Sequence, residues 1–198
     1  MAVSTEDLIE RFQRGQPLAF EALYDRYKDY IYRIAFFLTR NSGDAEEVVQ
    51  DTFMDLLRAL PNYRIGGPAR FETYLYRFTV NRCRAHLRRR PPPSADWDEV
   101  VDRLEQLPSS RTEDDPENSF LGREQASLLW QAVDRLPEHL RIVIVLRYQS
   151  DLSYDEVARV LEVPVGTVKS RLHQAHQNLR IWLKRQEAVE TAGAIAGV

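Results

Sequence analysis

The chain has 198 residues, 43% of them apolar and 29% charged, with a formal net charge of −3. That allows one domain or two small ones with modest cores, in the composition range of ordinary soluble proteins. The single cysteine, Cys83, excludes an intramolecular disulfide and a cysteine-based zinc cage, which fits a reducing compartment. The opening MAVSTEDLIERFQRGQ carries charge where a signal peptide needs an apolar stretch. No uncharged apolar run reaches the roughly 18–20 residues that span a bilayer. The expectation is a cytoplasmic protein without membrane insertion.

Apolar spacings of three and four run through most of the chain, and no Asn-Gly or Asp-Gly hairpin signal appears. The fold class expected is all-α. Ser4 or Thr5 caps a first helix that Gly15-Gln16-Pro17 ends. A second covers 18–39, with Phe20, Leu23, Tyr24, Tyr27, Ile31, Ile34 and Leu38 on one stripe. Asp44 caps a third, with Glu47 three residues on as in a capping box. Its stripe is Val48, Val49, Phe53, Leu56, Leu57 and Leu60, and Pro61 stops it. The loop PNYRIGGPAR leads to a fourth helix over about 69–90.

Residues 91–120 hold nine acids against two bases, so the rest of the chain is +4. Half of the ten prolines also fall there. This is expected to be an acidic, Pro-rich linker, stiff at first and mostly disordered later, with a short helix possible around Trp97–Leu107. It divides the chain into two small helical domains. Beyond it, IVIVL at 142–146 has strand-forming side chains, but nothing nearby offers a pairing strand, so a buried helix is expected.

Ser153 and Glu156 form a capping box, with Leu152 placed to staple against Val157. Pro164 marks a turn into a longer helix. There Val168, Leu172, Ala175, Leu179 and Trp182 stay within roughly 40° of one another and form the buried stripe. The opposite face carries Gly166, Ser170, His173, Gln174 and Gln177, with Lys169 and Arg180 beside it. A solubilising face is usually Glu and Lys; this one is small, neutral and polar. A helix-turn-helix places such residues against base edges while Arg147, Lys169 and Arg171 reach phosphates. An ordinary solvated helix is the alternative. His173 and His176 have no Asp, Glu or Cys beside them on the helix, so no metal is expected there.

The fourth helix interleaves Phe71, Tyr74, Tyr76 and Phe78 with Arg77, Arg82, Arg84, Arg88, Arg89 and Arg90. Aromatic platforms beside a basic track suit unpaired bases and their backbone, although Phe71, Leu75 and Phe78 also suit a core. The third helix exposes Glu46, Glu47, Gln50, Asp51, Met54 and Asp55. Such an acidic face is either solvated or meets a protein partner.

Taken in order, AFEALYDRY (19–27), DAEEVVQDTFMDLLRAL (44–60), FETYLYRFTVNRCRAHLRRR (71–90) and LSYDEVARVLEVPVGTVKSRLHQAHQNLR (152–180) resemble the extracytoplasmic-function (ECF) sigma factors of bacterial RNA polymerase. The last segment is the most specific. The resemblance implies a non-enzymatic initiation factor that binds core RNA polymerase and promoter DNA without a cofactor. Residues 1–90 would be region 2, 91–120 the linker, 121–183 region 4, and 184–198 a tail that matches nothing usable. Glu47, Gln50, Asp51, Met54 and Asp55 would dock on the polymerase. Asn62, Tyr63 and Arg64 in the loop, with Tyr74, Tyr76, Arg77, Arg84 and Arg88, would capture and hold the melted −10 strand. Arg147, Thr167, Lys169, Ser170, Arg171, His173 and Gln174 would contact the −35 element. An anti-sigma factor is a candidate partner. Two departures stand out: Tyr74 replaces the family's usual Trp, and Ala85 replaces a frequent Asp. A free-standing helix-turn-helix transcriptional regulator would explain 121–183 but leave the third and fourth helices idle. An enzyme is not expected, since no phosphate-binding glycine loop, nucleophile elbow or metal-ligand cluster appears.

Overall fold

A computed structural model describes residues 3–67, 69–89 and 128–196. The expected linker at 91–120, including the possible helix near Trp97, lies outside the described residues. Those described form helices and connecting turns, without a strand. They fall into two compact units, one from 1–94 with 145–165, the other from 95–144 with 166–198.

In the first unit, α1 spans Thr5–Gln13 and is capped by Ser4, whose Oγ accepts from the Asp7 amide. Gly15 follows at φ 85°, a left-handed conformation that stops the helix cheaply only because no Cβ is present. Helix α2, Leu18–Thr39, drives Leu23, Ile31, Ile34 and Leu38 into the core. Helix α3 spans Ser42–Ala59. Its cap is Asn41, whose side-chain oxygen accepts from the Asp44 amide at 2.9 Å, so Asp44 sits inside the first turn rather than capping it. Val48, Val49, Phe53 and Leu56 are buried as expected, whereas Leu57 is 39% exposed. A 3-10 turn at Leu60–Asn62 ends the segment, and α4 follows at Phe71–Arg89.

Tyr27 ties three helices of this unit together. Its hydroxyl donates to Glu72 Oε1 at 2.7 Å, which leaves Thr5 Oγ1, 2.8 Å away, as the donor to Tyr27. Thr5 Oγ1 in turn accepts from Arg26 at 3.1 Å. Burial, with the Glu72 carboxylate adding to it, pushes the Tyr27 phenol well above its ordinary pKa and keeps it neutral.

A helical stretch at 128–134 (α5) precedes α6, Glu138–Tyr148. All five residues of the IVIVL run are buried in α6, so burial on every side, not strand pairing, accounts for its composition. The nearly buried Arg141 reaches back to Asp134 at 3.1 Å and fixes α5 against α6. Helix α7, Tyr154–Leu161, carries the expected capping box in full. Glu162 closes it at φ 55°, and α8 runs from Val165 to Ala196, so the helix continues through most of the expected tail. In the second unit Val168, Leu172, Ala175 and Leu179 are buried along α8, and Arg135 lies 5.6 Å over the Trp182 ring.

Candidate nucleic-acid interface and polymerase dock

The loop between α3 and α4 is a built structure. Gly66 adopts φ 74°, and a Cβ on Gly67 would lie 3.2 Å from the Arg64 carbonyl oxygen. Gln13, at the end of α1, donates from Nε2 to the carbonyls of Leu60 at 3.0 Å and Tyr63 at 2.8 Å. The Leu60 carbonyl also accepts from the Tyr63 amide at 3.1 Å, so Gln13 adds a second bond there and pins the Tyr63 carbonyl beside it. The Tyr63 ring stands edge-on to Phe71 at 5.6 Å and 5.2 Å from Tyr74, which in turn meets Phe78 edge-on at 4.9 Å. Burial raises the Tyr63 and Tyr74 phenols, so both remain neutral donors. A cleft of about 450 Å³ opens beside this aromatic row, lined among others by Ile9, Tyr63, Gly66, Gly67, Arg70 and Phe71. Asn62 and Arg64 are exposed at the loop's surface.

Along α4 the expected residues separate. Tyr74 is half-buried in the aromatic row, but Tyr76 is only 5% exposed, and its phenol is raised mainly by burial. Position 76 follows the same stripe as the buried Val80 and Cys83, and Tyr76 lines a cleft of about 310 Å³ with Tyr27, Tyr30 and Leu152. As the chain is folded here, Tyr76 is buried, whereas Tyr74 is partly exposed. Arg77 is exposed and pairs with Glu162 at 3.0 Å, and Arg70 pairs with Glu156 at 3.7 Å. Acids therefore occupy these two cations. Arg84 is half-buried and Arg88 exposed.

The α3 face presents Glu47, Gln50, Asp51 and Met54 to solvent, with Met54 50% exposed and Leu57 adding apolar area beside it. Asp55 differs. Its carboxylate accepts from Arg82 Nε at 2.6 Å and from a second guanidinium nitrogen, while Arg82 also reaches Asp51 at 3.3 Å. This fork-on-carboxylate pairing locks α4 to α3 and raises Arg82 further, chiefly through the Asp55 bond. Sequence reasoning placed Arg82 in a basic track and missed its partner. Gln13 was missed altogether, because nothing local connects it to a loop some fifty residues on.

On α8 the outer face emerges as expected. Lys169, Ser170, His173 and Gln174 are exposed, and Thr167 and Arg171 are partly so. Contacts among them are local: Ser170 Oγ donates to the Thr167 carbonyl at 3.0 Å, and His173 lies 3.0 Å from Gln177. Arg147 is more committed. It donates to the Leu152 carbonyl at 3.2 Å and to Asp151 at 3.3 Å, with Tyr148 and Tyr154 each within 6 Å of its guanidinium. That arrangement fixes the turn before α7 as well as offering a cation.

Residues 23–91 match the family model of Sigma-70 region 2, and residues 126–179 that of Sigma-70, region 4. The ECF RNA polymerase sigma-E factor of Escherichia coli is 37% identical over 175 residues, 86% of this chain and 89% of that protein. The RNA polymerase sigma-H factor of Pseudomonas aeruginosa is 35% identical, covering 87% and 90%. Among solved structures, CnrH in complex with the cytosolic domain of CnrY superposes with a TM-score of 0.66 at 24% identity, covering 90% of this chain and 96% of that one. Bartonella quintana RpoE, in complex with the anti-sigma factor NepR, gives 0.61 at 22%, covering 83% and 96%. These two show a shared fold. Both sigma-70 regions in order, and relatives matched over nearly their whole length, make this chain a member of the ECF sigma factors.

Proposed function

We propose that the chain directs core RNA polymerase to a specific class of promoters, with its tasks divided by residue. ECF sigma factors are non-enzymatic initiation factors that bind core polymerase and the −10 and −35 elements. Within that role, Glu47, Gln50, Asp51 and Met54 on α3 dock on the polymerase, where charge complementarity sets register and encounter rate. Asp55 supports them from inside the Arg82 pair. The loop at 61–70 captures a base of the opened −10 strand: Asn62 and Arg64 offer hydrogen bonds, and Tyr63 and Tyr74 offer ring faces. Arg77, Arg84 and Arg88 hold its phosphates once Glu162 has been displaced from Arg77. Lys169, Ser170, His173 and Gln174 read the −35 bases, with Thr167, Arg147 and Arg171 on the backbone. Residues 1–90, 91–120, 121–183 and 184–198 are the corresponding region 2, linker, region 4 and tail.

The observation that best supports this division is the loop itself. Opening a duplex without ATP requires that the unpaired base be bound better than the paired one, since unstacking costs a few kcal/mol. A loop held by Gln13 and floored by aromatic rings is shaped before the base arrives, so little further ordering is needed. The two solved relatives were captured with the cytosolic domain of CnrY and with the anti-sigma factor NepR. A partner of the anti-sigma kind is therefore proposed for this chain too. A free-standing regulator is disfavoured by the region 2 match over α2–α4. Runoff transcription with core polymerase on a genomic library tests the reading. Discrete start sites that depend on the chain are expected. Operator binding without polymerase, and no transcripts with it, would overturn it.

A further inference from the structure

The first two turns of α3 and the last turn of α4 bring together three side chains that no part of the initiation reading uses as a group. His86 Nε2 lies 3.0 Å from Asp44 Oδ1 and 3.9 Å from Glu47 Oε2, and the three ligand atoms all fall within 4.8 Å of one another. The Asp44 and His86 side chains are 14% and 17% exposed, while Glu47, three residues along the same face of α3, is 66% exposed. The Nε2 atom itself is enclosed, yet it makes no hydrogen bond of acceptable geometry in the protein despite the nearby carboxylate. An enclosed imidazole nitrogen without a hydrogen bond, grouped with two carboxylate oxygens, is a set of ligand atoms that a cation can share.

We propose that Asp44, Glu47 and His86 form a binding site for a divalent transition-metal ion of the zinc class. Donors sharing one such ion lie about 3–3.5 Å apart, given bonds of about 2.0–2.2 Å. The Asp44–His86 separation already meets this. The His86–Glu47 distance of 3.9 Å is longer than this, and the exposed Glu47 side chain can close in by rotation. One imidazole with two carboxylates favours zinc, nickel or cobalt over magnesium or calcium, which take oxygen ligands almost alone. Three protein ligands leave a position for water, and the ion would clasp the start of α3 to the end of α4. The proposal does not depend on the polymerase reading, because its test reads metal binding alone.

The test is calorimetric titration of the full chain with Zn²⁺, together with imidazole NMR of His86. One equivalent should bind, and the His86 ring signals should shift as it does. Glu47→Gln alters an exposed side chain and should leave the circular dichroism spectrum unchanged. It should weaken binding by about tenfold or more, since even losing an outer partner of a ligand costs about 10–100-fold. A double variant, His173→Ala with His176→Ala, should bind as the parent does. Absence of binding by the parent chain overturns the proposal. So does undiminished binding by the folded Glu47→Gln chain, or loss of binding in the α8 double variant.

Discussion

The loop with α4 and the outer face of α8 are both proposed to touch promoter DNA, yet they are built in opposite ways. In the first, several side chains are already engaged: Tyr63 and Tyr74 meet their neighbours edge-on or tilted, Gln13 holds two carbonyls, and Arg77 has an acid on it. On α8, Ser170, His173 and Gln174 stand exposed over a buried stripe, with contacts only to residues three or four away. The contrast follows from the tasks. A receptor for an unpaired base must exist before the base leaves its stack, or the ordering cost adds to the melting cost. A surface that reads an intact groove needs only to be held at the right angle by what lies beneath it. Changes on the first side should therefore move stability and promoter opening together. Changes on the second should alter promoter choice while leaving stability alone.

The largest effect should come from under the reading face. Leu172→Ala opens a cavity in the α8 stripe and should cost about 2–5 kcal/mol in urea denaturation, abolishing −35 binding through loss of fold. Next, Arg82→Ala leaves the mostly buried Asp55 carboxylate without its fork. A loss of about 1–3 kcal/mol is expected, with weaker pull-down of core polymerase. A mutant as stable as the parent would show that this pair holds nothing. On the exposed side, His173→Ala should leave the urea midpoint unchanged and shift preference among −35 sequences by about 1–3 kcal/mol per lost contact. Unaltered preference on a randomised −35 library would remove His173 from the reading set.

The smallest effect concerns the α7 capping box. Ser153→Ala should cost about 1 kcal/mol, and the loss should depend on pH. Burial pushes the Glu156 carboxyl upward, but the Ser153 amide and hydroxyl, helped by Arg70 and Arg159, more than offset it and hold the pKa below the ordinary glutamate value. A carboxyl depressed by folding contributes stability above its unfolded pKa and loses it as pH falls through the folded one. The gap between parent and Ser153→Ala should thus be full near neutrality and narrow below the ordinary glutamate range. A gap that does not change with pH would place the contribution elsewhere.

What the sequence made legible was whatever repeats locally. The α2 and α8 stripes and the Ser153–Glu156 box follow from spacing and caps within a turn or two, whereas the helical state of IVIVL followed from the lack of a strand to pair with. Asn41 was passed over as a cap in favour of Asp44, whereas the asparagine oxygen accepts from the Asp44 amide. Leu57 is more exposed and Tyr76 more buried than spacing suggests, since helical period gives a face but not how far the neighbouring helices extend across it. Contacts between distant segments left no local trace: Gln13 on the loop, Arg82 on Asp55 and Glu162 on Arg77 each join residues that nothing in the spacing connects. The exposure of Lys169, Ser170, His173 and Gln174 was legible because it depends on the period of one helix alone.

The central claim is that the loop at 61–70 is a receptor formed in advance for an unpaired −10 base, and Gln13 tests it without touching the DNA. Permanganate footprinting of unpaired thymines should be run on complexes of core polymerase with the parent chain and with Gln13→Ala. The expected result is normal −35 protection, markedly lower −10 reactivity, and transcription restored on a premelted bubble template. Full −10 reactivity in the Gln13→Ala complex, with its loop bonds gone, would contradict the account.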